Sequence, residues 1–206
     1  MANNRMVLNI KNEIRREALE RRDALAEENR AEASLDICRR IMQDDRFLDA
    51  RAVHVYLPIG SEVDLRPLID VAWELGKGVG LMRVSGDGGS RQYRITPETQ
   101  YTTGALGIAE PIDAEPFDMD RCDLVLVPMV AADEECNRVG YGKGYYDQFL
   151  THFPRPTIGA AFEVQVFPHL PSDELDIRLD TIYTEERILS RDGSGAGEGS
   201  EPGDLA

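Results

Sequence analysis

The segment DLVLVPMVAA, residues 123–132, constrains the fold of this chain more than any other part of the sequence. It is the most apolar run, and it is bounded by polar residues on both sides. A short continuous apolar run of this kind is typical of a strand that is buried on both faces. The sequence therefore predicts a central strand here, with further layers packed above and below it.

Shorter apolar runs alternate with helical segments along the rest of the chain. Further strands are predicted at 52–59, 78–84, 92–96, 157–162 and 180–184. Helices are predicted at 9–26 and 30–42, with a break near residues 28–29. A further helix is predicted from an N-cap at Asp64 to Gly76, with Pro67 in its first turn, and another at 143–153. This alternation predicts an α/β fold with a mainly parallel, twisted sheet flanked by helices on both faces, in a three-layer, Rossmann-like arrangement. Ligands of such sheets bind beyond the carboxyl ends of the strands.

The length of 206 residues suits one domain with a tail. We expect a single α/β domain over residues 1–189. Residues 190–206 are rich in glycine, serine and acidic side chains, and they cannot bury enough apolar surface to offset the entropy of ordering. The sequence therefore predicts a disordered acidic tail over 190–206.

Composition argues against several classes of protein. The formal net charge of −15 is opposite in sign to the basic field that a nucleic-acid-binding protein usually carries, so an anionic ligand would need locally concentrated cations. The three cysteines are far apart and odd in number, which argues against a disulfide framework and a zinc site. The sequence shows neither a signal peptide nor an apolar run long enough to cross a membrane, so we expect a cytoplasmic protein. We expect no nucleic-acid or membrane partner, and a monomer or weak homodimer.

The densest concentration of chemically useful residues follows the predicted central strand. Gly140, Gly142 and Gly144 alternate with other residues, which lets the backbone approach a ligand and turn its N–H groups inward. Arg138 can bind phosphate oxygens in a bidentate way, and Lys143 supplies a mobile point charge. The pattern is neither a Walker A motif nor a dinucleotide fingerprint. It favours a phosphate-binding loop with both cations near solvent, while a flexible loop with accidental charges stays an alternative.

Asp147 lies just inside the helix that is predicted to begin in this loop. The helix N-terminus adds partial positive charge for an anion. The carboxylate of Asp147 could hold magnesium against bound phosphates. The alternative is that Asp147 only interacts favourably with the helix dipole.

Two cations of the predicted first helix, Lys11 and Arg15, are four residues apart and therefore share a face. Ala18 and Arg22 fall on or near the same face. Like charges at this spacing destabilise a helix slightly, so their place beside apolar positions indicates an anion-binding role. The alternative, which spacing alone favours, is a solvated helix whose glutamates neutralise the cations.

Glu62 follows a predicted strand in YLPIGSEVD, residues 56–64, at the edge of the sheet where ligands are expected. A helix-capping role for this acid is equally compatible with the pattern. Tyr141, Tyr145 and Tyr146 could stack on a planar ligand, although core packing is the commoner explanation for at least one of them.

Together these segments resemble the 5-formyltetrahydrofolate cyclo-ligase family, also called 5,10-methenyltetrahydrofolate synthetases. The likeness covers nearly the whole predicted domain and keeps the family's order. The block RVGYGKGYY is highly specific, and the other segments are weaker alone. The matching segments are Lys11-x-x-x-Arg15, YLPIGSEVDLRPLI (56–69), GK (76–77), LGIAEP (106–111), DLVLVP (123–128), RVGYGKGYYDQFL (138–150), AAFEVQ (160–165) and LD (179–180).

The resemblance implies a reaction in which 5-formyltetrahydrofolate and ATP give 5,10-methenyltetrahydrofolate, ADP and phosphate. In the family's chemistry the formyl oxygen attacks the γ-phosphate, N10 attacks the phosphorylated formyl carbon, and phosphate leaves. The protein then has mainly to align two reactants and neutralise charge on the transferred phosphoryl group. The resemblance thus implies 5-formyltetrahydrofolate as substrate, ATP as co-substrate and Mg²⁺ as the metal ion.

The resemblance also implies a role for individual residues. Contacts to ATP on the N-terminal helix match Lys11 and Arg15, and contacts to the folate substrate match Leu57 and Glu62, the latter as a partner for pterin N–H groups. The expected ATP loop consists of Arg138, Val139, Gly140, Tyr141, Gly142, Lys143, Gly144, Tyr145 and Tyr146, of which Gly140, Tyr141, Gly142, Lys143, Gly144 and Tyr145 also line the folate side. The candidate catalytic residues are Arg138, Lys143 and Tyr146. The magnesium positions match Asp147 and Asp180.

Three residues depart from the family's usual pattern, and we expect them near the folate side. Ala132 replaces a phenylalanine, Cys136 replaces a glycine, and Met82 lies in a strand that often carries a proline. Because of these departures, an alternative interpretation is a paralogue that binds folate and nucleotide but turns over little substrate. A sugar-phosphate isomerase or acyl-transfer enzyme on a similar sheet, which would not require ATP, is a further alternative.

Overall fold

The structure is a computed structural model that describes residues 2–84, 89–104 and 107–192. The first residue of the LGIAEP match, Leu106, and the predicted tail from residue 193 onward lie outside the described residues. Within the described ranges, no helix combines the length and apolar character needed to cross a bilayer.

The described residues form five α-helices: α1 Ala2–Asp23, α2 Glu27–Met42, α3 Asp45–Asp49, α4 Arg66–Glu74 and α5 Tyr145–Leu150. The first two helices are separated at residues 24–26, so the predicted position of the break, near 28–29, is wrong. Glu27 and Glu28 occupy the first turn of α2, where acidic side chains are favoured. The first turn of α4 contains a proline, as predicted. Asp64 is not its N-cap; Leu65 occupies that position, and the Asp64 carboxylate accepts a hydrogen bond from the Arg66 N–H.

Twelve strands are found among the described residues: β1 Ala52–Val55, β2 Gly78–Val84, β3 Ser90–Ile95, β4 Tyr101–Thr103, β5 Ala109–Pro111, β6 Leu124–Val127, β7 Ala131–Asp133, β8 Arg138–Val139, β9 Thr157–Ala160, β10 Val166–Phe167, β11 Thr181–Tyr183 and β12 Ile188–Ser190. The main sheet has the order β12-β11-β9-β6-β1-β2-β3. Its four inner pairs are parallel, and the edge strands β3 and β12 are antiparallel to their neighbours. The predicted α/β fold is confirmed.

The predicted central strand at 123–132 is two strands in different sheets. β6 lies in the middle of the main sheet, whereas β7 pairs with β8 and β10 in a small sheet. Pro128 lies between them, and proline has no N–H to donate to a ladder. The predicted domain end at 189 falls inside β12, since Ser190 pairs with Thr181.

Helices cover both faces of the main sheet. Val53 and Val55 of β1 pack in one core cluster with residues of α2, α3 and α4. His54 points to the opposite face, where its ring lies 5.0 Å from that of Phe149 in α5. This alternation along a single strand produces the three layers.

The first helix packs against the small sheet rather than the main one. Ala18 of α1 is fully buried with Val130, Ala131 and Val139. This contact brings the α1 face that carries Lys11 and Arg15 beside the loop that follows β8.

The order of the strands creates a crevice at the middle of the main sheet. From β1 the chain runs through α4 to β2 on one side, and the later strand β6 pairs with β1 on the other side. The connections leave in opposite directions at this switch point, which is where open α/β sheets bind ligands.

Candidate functional site

A cavity of about 1110 Å³ opens at the carboxyl ends of the parallel strands. Its walls come from α1, from the loop after β1, from the end of β2, and from the loop after β8 with the start of α5. A last wall is the segment 173–176. The cavity therefore lies at the edge of the sheet that the strand pattern predicts for a ligand.

The glycine-rich loop 140–144 contacts α1 through Arg15. The Nε of Arg15 donates a hydrogen bond to the carbonyl of Gly140 (2.6 Å). Gly142 has φ +84°, and a Cβ on it would lie 3.2 Å from the Cζ of Arg15. Gly144, with φ +70°, occupies the N-cap of α5. Glycine is favoured at both positions because other residues rarely adopt this backbone conformation.

Lys11 is buried and paired with two acids of the segment 173–176. Its Nζ lies 3.0 Å from Asp173 Oδ2 and 2.5 Å from Asp176 Oδ2. Burial lowers the pKa of Lys11, but the hydrogen bonds to Asp176 and Asp173 outweigh burial and leave the pKa raised. The ammonium group is therefore charged at the wall of the cavity.

Arg138 is buried, so its expected position near solvent is wrong. Its side chain is 4% exposed, and Nη2 donates to Asp147 Oδ1 at 2.6 Å. Its buried Nε has no hydrogen-bond partner among the described residues. Burial lowers the pKa of Arg138, and the charge of Asp147 opposes this effect. Lys143 is exposed at the cavity, as predicted.

Glu62 presents an open carboxylate oxygen in the same cavity. The side chain is buried, and Oε2 accepts a hydrogen bond from the Ile59 N–H (2.8 Å). Within the described part of the chain, Oε1 has no partner. Burial raises the pKa of Glu62 to about 7, although the Ile59 N–H, the charge of Arg22 and the Tyr141 hydroxyl oppose the increase. The helix-cap interpretation is wrong, since the carboxylate turns back to its own loop.

The three tyrosines of the loop differ in their surroundings. Tyr141 is the most exposed, and its hydroxyl accepts a hydrogen bond from Arg22 Nη2 (3.1 Å). Tyr146 is half-buried and meets Phe149 edge-on, with ring centroids 6.1 Å apart. Burial raises the pKa of Tyr146 well above its usual range. Tyr145 is half-buried in the cavity wall, so core packing accounts for Tyr146 better than for the other two.

The cavity brings together nearly all of the predicted site residues. Those that line it are Lys11, Arg15, Leu57, Glu62, Arg138, Val139, Gly140, Tyr141, Gly142, Lys143, Gly144, Tyr145, Tyr146 and Asp147. Asp180 is not among the described residues that line the cavity. Its Oδ2 accepts hydrogen bonds from the N–H and the hydroxyl of Thr157 (2.9 Å each), which joins β9 to the start of β11.

The departures from the family's pattern lie in two places. Met82 lines the cavity. Ala132 and Cys136 are fully buried and do not belong to the described cavity wall. Cys136 has φ +63°, a backbone conformation that favours glycine, which accounts for the family's usual residue there.

Sequence reasoning missed the segment 173–176 as part of the cavity wall. Asp173, Leu175 and Asp176 line the cavity. Asp173 and Asp176 are more than 150 residues from their partner Lys11. The acidic run 173–176 after a proline was the available signal, but an exposed loop produces the same pattern.

Known proteins are similar to this chain in both sequence and fold. Residues 7–185 match the model of the 5-formyltetrahydrofolate cyclo-ligase family. The chain belongs to that family. A 5-formyltetrahydrofolate cyclo-ligase of Escherichia coli K12 is 31% identical over 176 residues, which cover 82% of this chain and 97% of the relative.

Two further members of the cyclo-ligase family agree with this assignment. A probable 5-formyltetrahydrofolate cyclo-ligase of Schizosaccharomyces pombe is 30% identical over 174 residues, covering 76% of this chain and 85% of the relative. The solution structure of the Aquifex aeolicus 5,10-methenyltetrahydrofolate synthetase superposes with a TM-score of 0.79 at 34% identity, over 94% of this chain and 97% of the other.

Proposed function

We propose that this chain is an ATP-dependent 5-formyltetrahydrofolate cyclo-ligase, which produces 5,10-methenyltetrahydrofolate, ADP and phosphate in the cavity described above. One observation carries the proposal beyond family membership. Gly140 of the glycine-rich loop accepts a hydrogen bond from Arg15, a cation suited to phosphate. Tyr141 of the same loop shares the Arg22 guanidinium with Ser61, which directly precedes the buried carboxylate Glu62. A single loop thus adjoins groups suited to both reactants.

The cations of the cavity support an ATP site. Lys11, Arg15, Arg138 and Lys143 line it together with four acids, Glu62, Asp147, Asp173 and Asp176. Lys11 and Arg138 pair with three of these acids, whereas Arg15 and Lys143 form no ion pair among the described residues and are available to attract a triphosphate. We propose that Arg138 and Lys143 stabilise the charge that develops on the transferred phosphoryl group, and that Lys11 and Arg15 hold the remaining phosphates.

Glu62 supports a folate site beside these cations. The pterin ring of the substrate offers an amino group and a ring N–H next to one another, and an ionised carboxylate accepts two such bonds in parallel. Its Oε1 is buried and open among the described groups, and the neighbouring Leu57 supplies apolar wall. We propose that Glu62 orients the pterin so that the formyl oxygen faces the γ-phosphate.

The reaction then follows from alignment. The formyl oxygen attacks the γ-phosphorus and ADP leaves. N10 attacks the phosphorylated formyl carbon and loses its proton, and the C–O bond breaks to release phosphate. Holding both substrates in one cavity replaces an encounter between two solutes with an intramolecular step.

Magnesium fits one of the two acids that the resemblance names. Asp147 Oδ1 is used by Arg138 and by the Ile177 N–H at 3.3 Å, which leaves the second oxygen for a cation. No group of three or more histidine, cysteine or acidic side chains suited to a metal occurs in the described ranges. Mg²⁺ that arrives with ATP needs only one or two carboxylates, and it would neutralise phosphate charge. We propose Asp147 as the residue that holds it.

The decisive experiment for this function is incubation of the protein with 5-formyltetrahydrofolate and Mg-ATP. We expect the absorbance of the methenyl product and the concentration of ADP to rise together in a one-to-one ratio. A binding paralogue would retain both ligands without product, and an isomerase or acyl-transfer enzyme would give no folate-dependent ADP. Either result would overturn the proposal.

Gly142→Ala is expected to weaken use of ATP through Arg15. The left-handed backbone at Gly142 makes alanine unfavourable by about 1–2 kcal/mol, and the new methyl group displaces the Arg15 guanidinium. Gly76→Ala is the matched control, since Gly76 has φ +71° with nothing within 4 Å of the added Cβ. Both variants should lose similar stability in denaturant unfolding, while only Gly142→Ala raises the KM for ATP. Equal KM values for the two variants would contradict the role of Arg15.

A further inference from the structure

Arg22 is a buried charged side chain that links two walls of the folate side. It lies in the last turn of α1 and is 2% exposed. Its Nε donates to Ser61 Oγ at 2.9 Å, and its Nη2 donates to the Tyr141 hydroxyl at 3.1 Å. Ser61 precedes Glu62, and Tyr141 belongs to the glycine-rich loop, so one guanidinium joins α1 to both segments.

Arg22 forms no close ion pair among the described residues, and its charge interacts with that of Glu62 without a direct contact between them. Its two hydrogen-bond partners are neutral hydroxyls, and its buried Nη1 has no partner in the part of the chain that the structure describes. The buried Oε1 of Glu62 is likewise open. Burying an uncompensated charge is costly, so Arg22 and Glu62 are the natural counter-charges of this region.

The ionised form of Glu62 depends on its neighbours. Burial raises the pKa of Glu62, whereas the positive charge of Arg22 lowers it. The other ionisable groups that interact with this carboxylate are Tyr56, Tyr141 and Tyr146, which are uncharged near neutral pH. Among these groups, Arg22 is the cation that favours the carboxylate.

We propose that Arg22 is a positioning residue for folate binding, which holds the Glu62 turn against Tyr141 and keeps the Glu62 carboxylate ionised so that it can accept two pterin N–H groups. Arg22 acts through Glu62 and Tyr141 and need not touch the substrate. This inference rests on the proposed cyclo-ligase function, because it concerns the pterin side of that site.

The test is equilibrium binding of 5-formyltetrahydrofolate between pH 6 and pH 9 in wild type, Arg22→Gln and Arg16→Gln. Arg16 is the matched control, since it lies on the same helix but is exposed and paired with Glu20. In wild type we expect binding to weaken as pH falls through about 7, where Glu62 takes up a proton. Binding that requires the ionised form is present above the pKa and is lost below it.

Arg22→Gln is expected to move this midpoint upward by about one to two pH units, the usual effect of removing a nearby opposite charge. Affinity should therefore fall about tenfold at pH 7 and return towards the wild-type value at pH 9. Arg22→Lys should restore part of the midpoint shift. The midpoint shift should be confined to folate binding, with no matching change in the pH dependence of ATP binding, and Arg16→Gln should follow wild type.

Weakening by the same factor at every pH would indicate a merely structural role and overturn the proposal, as would an unchanged midpoint. If Arg22→Gln does not fold, Ser61→Ala decides the matter. It removes the acceptor of Nε and should move the midpoint in the same direction by a smaller amount. Turnover of wild type in the same preparation is measured separately, so an inactive wild type rejects the proposed function and a fixed midpoint in an active enzyme rejects only the role of Arg22.

Discussion

Arg138→Gln and Lys143→Gln should each lower kcat/KM for ATP by about 10²–10³-fold, or roughly 2.7–4 kcal/mol of transition-state stabilisation, as for other groups that neutralise developing charge. Both residues line the cavity, Arg138 from β8 and Lys143 from the glycine-rich loop that follows it. The phosphoryl group gathers negative charge as it is transferred, so removal of a fixed cation costs more in the transition state than in the bound ground state. Steady-state kinetics with saturating 5-formyltetrahydrofolate measures the loss.

The two variants form a matched pair because they remove the same charge from different surroundings. Arg138 is buried against Asp147, whereas Lys143 is exposed. Loss of the charge-assisted hydrogen bond should cost Arg138→Gln about 1.5–3 kcal/mol in the free energy of unfolding, while Lys143→Gln should unfold like wild type. A folded double variant with normal turnover would show that the loop is not the ATP site.

Much of the fold could be predicted because it depends on local patterns. The apolar runs gave the inner strands, since a parallel sheet that is covered on both faces needs continuous apolar segments. The glycine pattern located the loop at 140–144, where Gly142 and Gly144 have positive φ. Pro128 was a visible sign that residues 123–132 are two strands, because an interior strand position rarely accepts proline.

What could not be predicted depends on contacts between distant segments. Neither the burial of Arg138 nor the pairing of Lys11 with Asp173 and Asp176 has a local pattern, since burial and pairing arise only when the loops converge on one cavity. Sequence similarity assigned Asp147 and Asp180 the same role, yet only Asp147 lines the described cavity, and the Asp180 carboxylate bonds to Thr157. A matching residue type therefore does not by itself show that a residue lines the cavity.

Asp147→Asn should lower activity strongly at low magnesium and recover at least partly at high magnesium. Asparagine keeps an oxygen that can accept the hydrogen bonds of Arg138 and of the Ile177 N–H, but it removes the negative charge that attracts a cation. Recovery is expected because ATP supplies most of the ion's ligands itself. Turnover is measured across a magnesium titration, with folding checked by circular dichroism.

Three roles of Asp147 give three different results. If it only favours the dipole of α5, stability should fall by about 0.3–1 kcal/mol and activity should persist at every magnesium concentration. If it only balances the charge of Arg138, activity should fall by a constant factor throughout the titration. If it holds the metal, the magnesium concentration for half-maximal activity should rise.

Asp173→Asn is the matched control, since Asp173 also lines the cavity but pairs with Lys11. The magnesium concentration for half-maximal activity of this control should equal that of wild type. Titration curves of the same shape for Asp147→Asn and wild type would exclude the metal role and leave Mg²⁺ held by ATP alone.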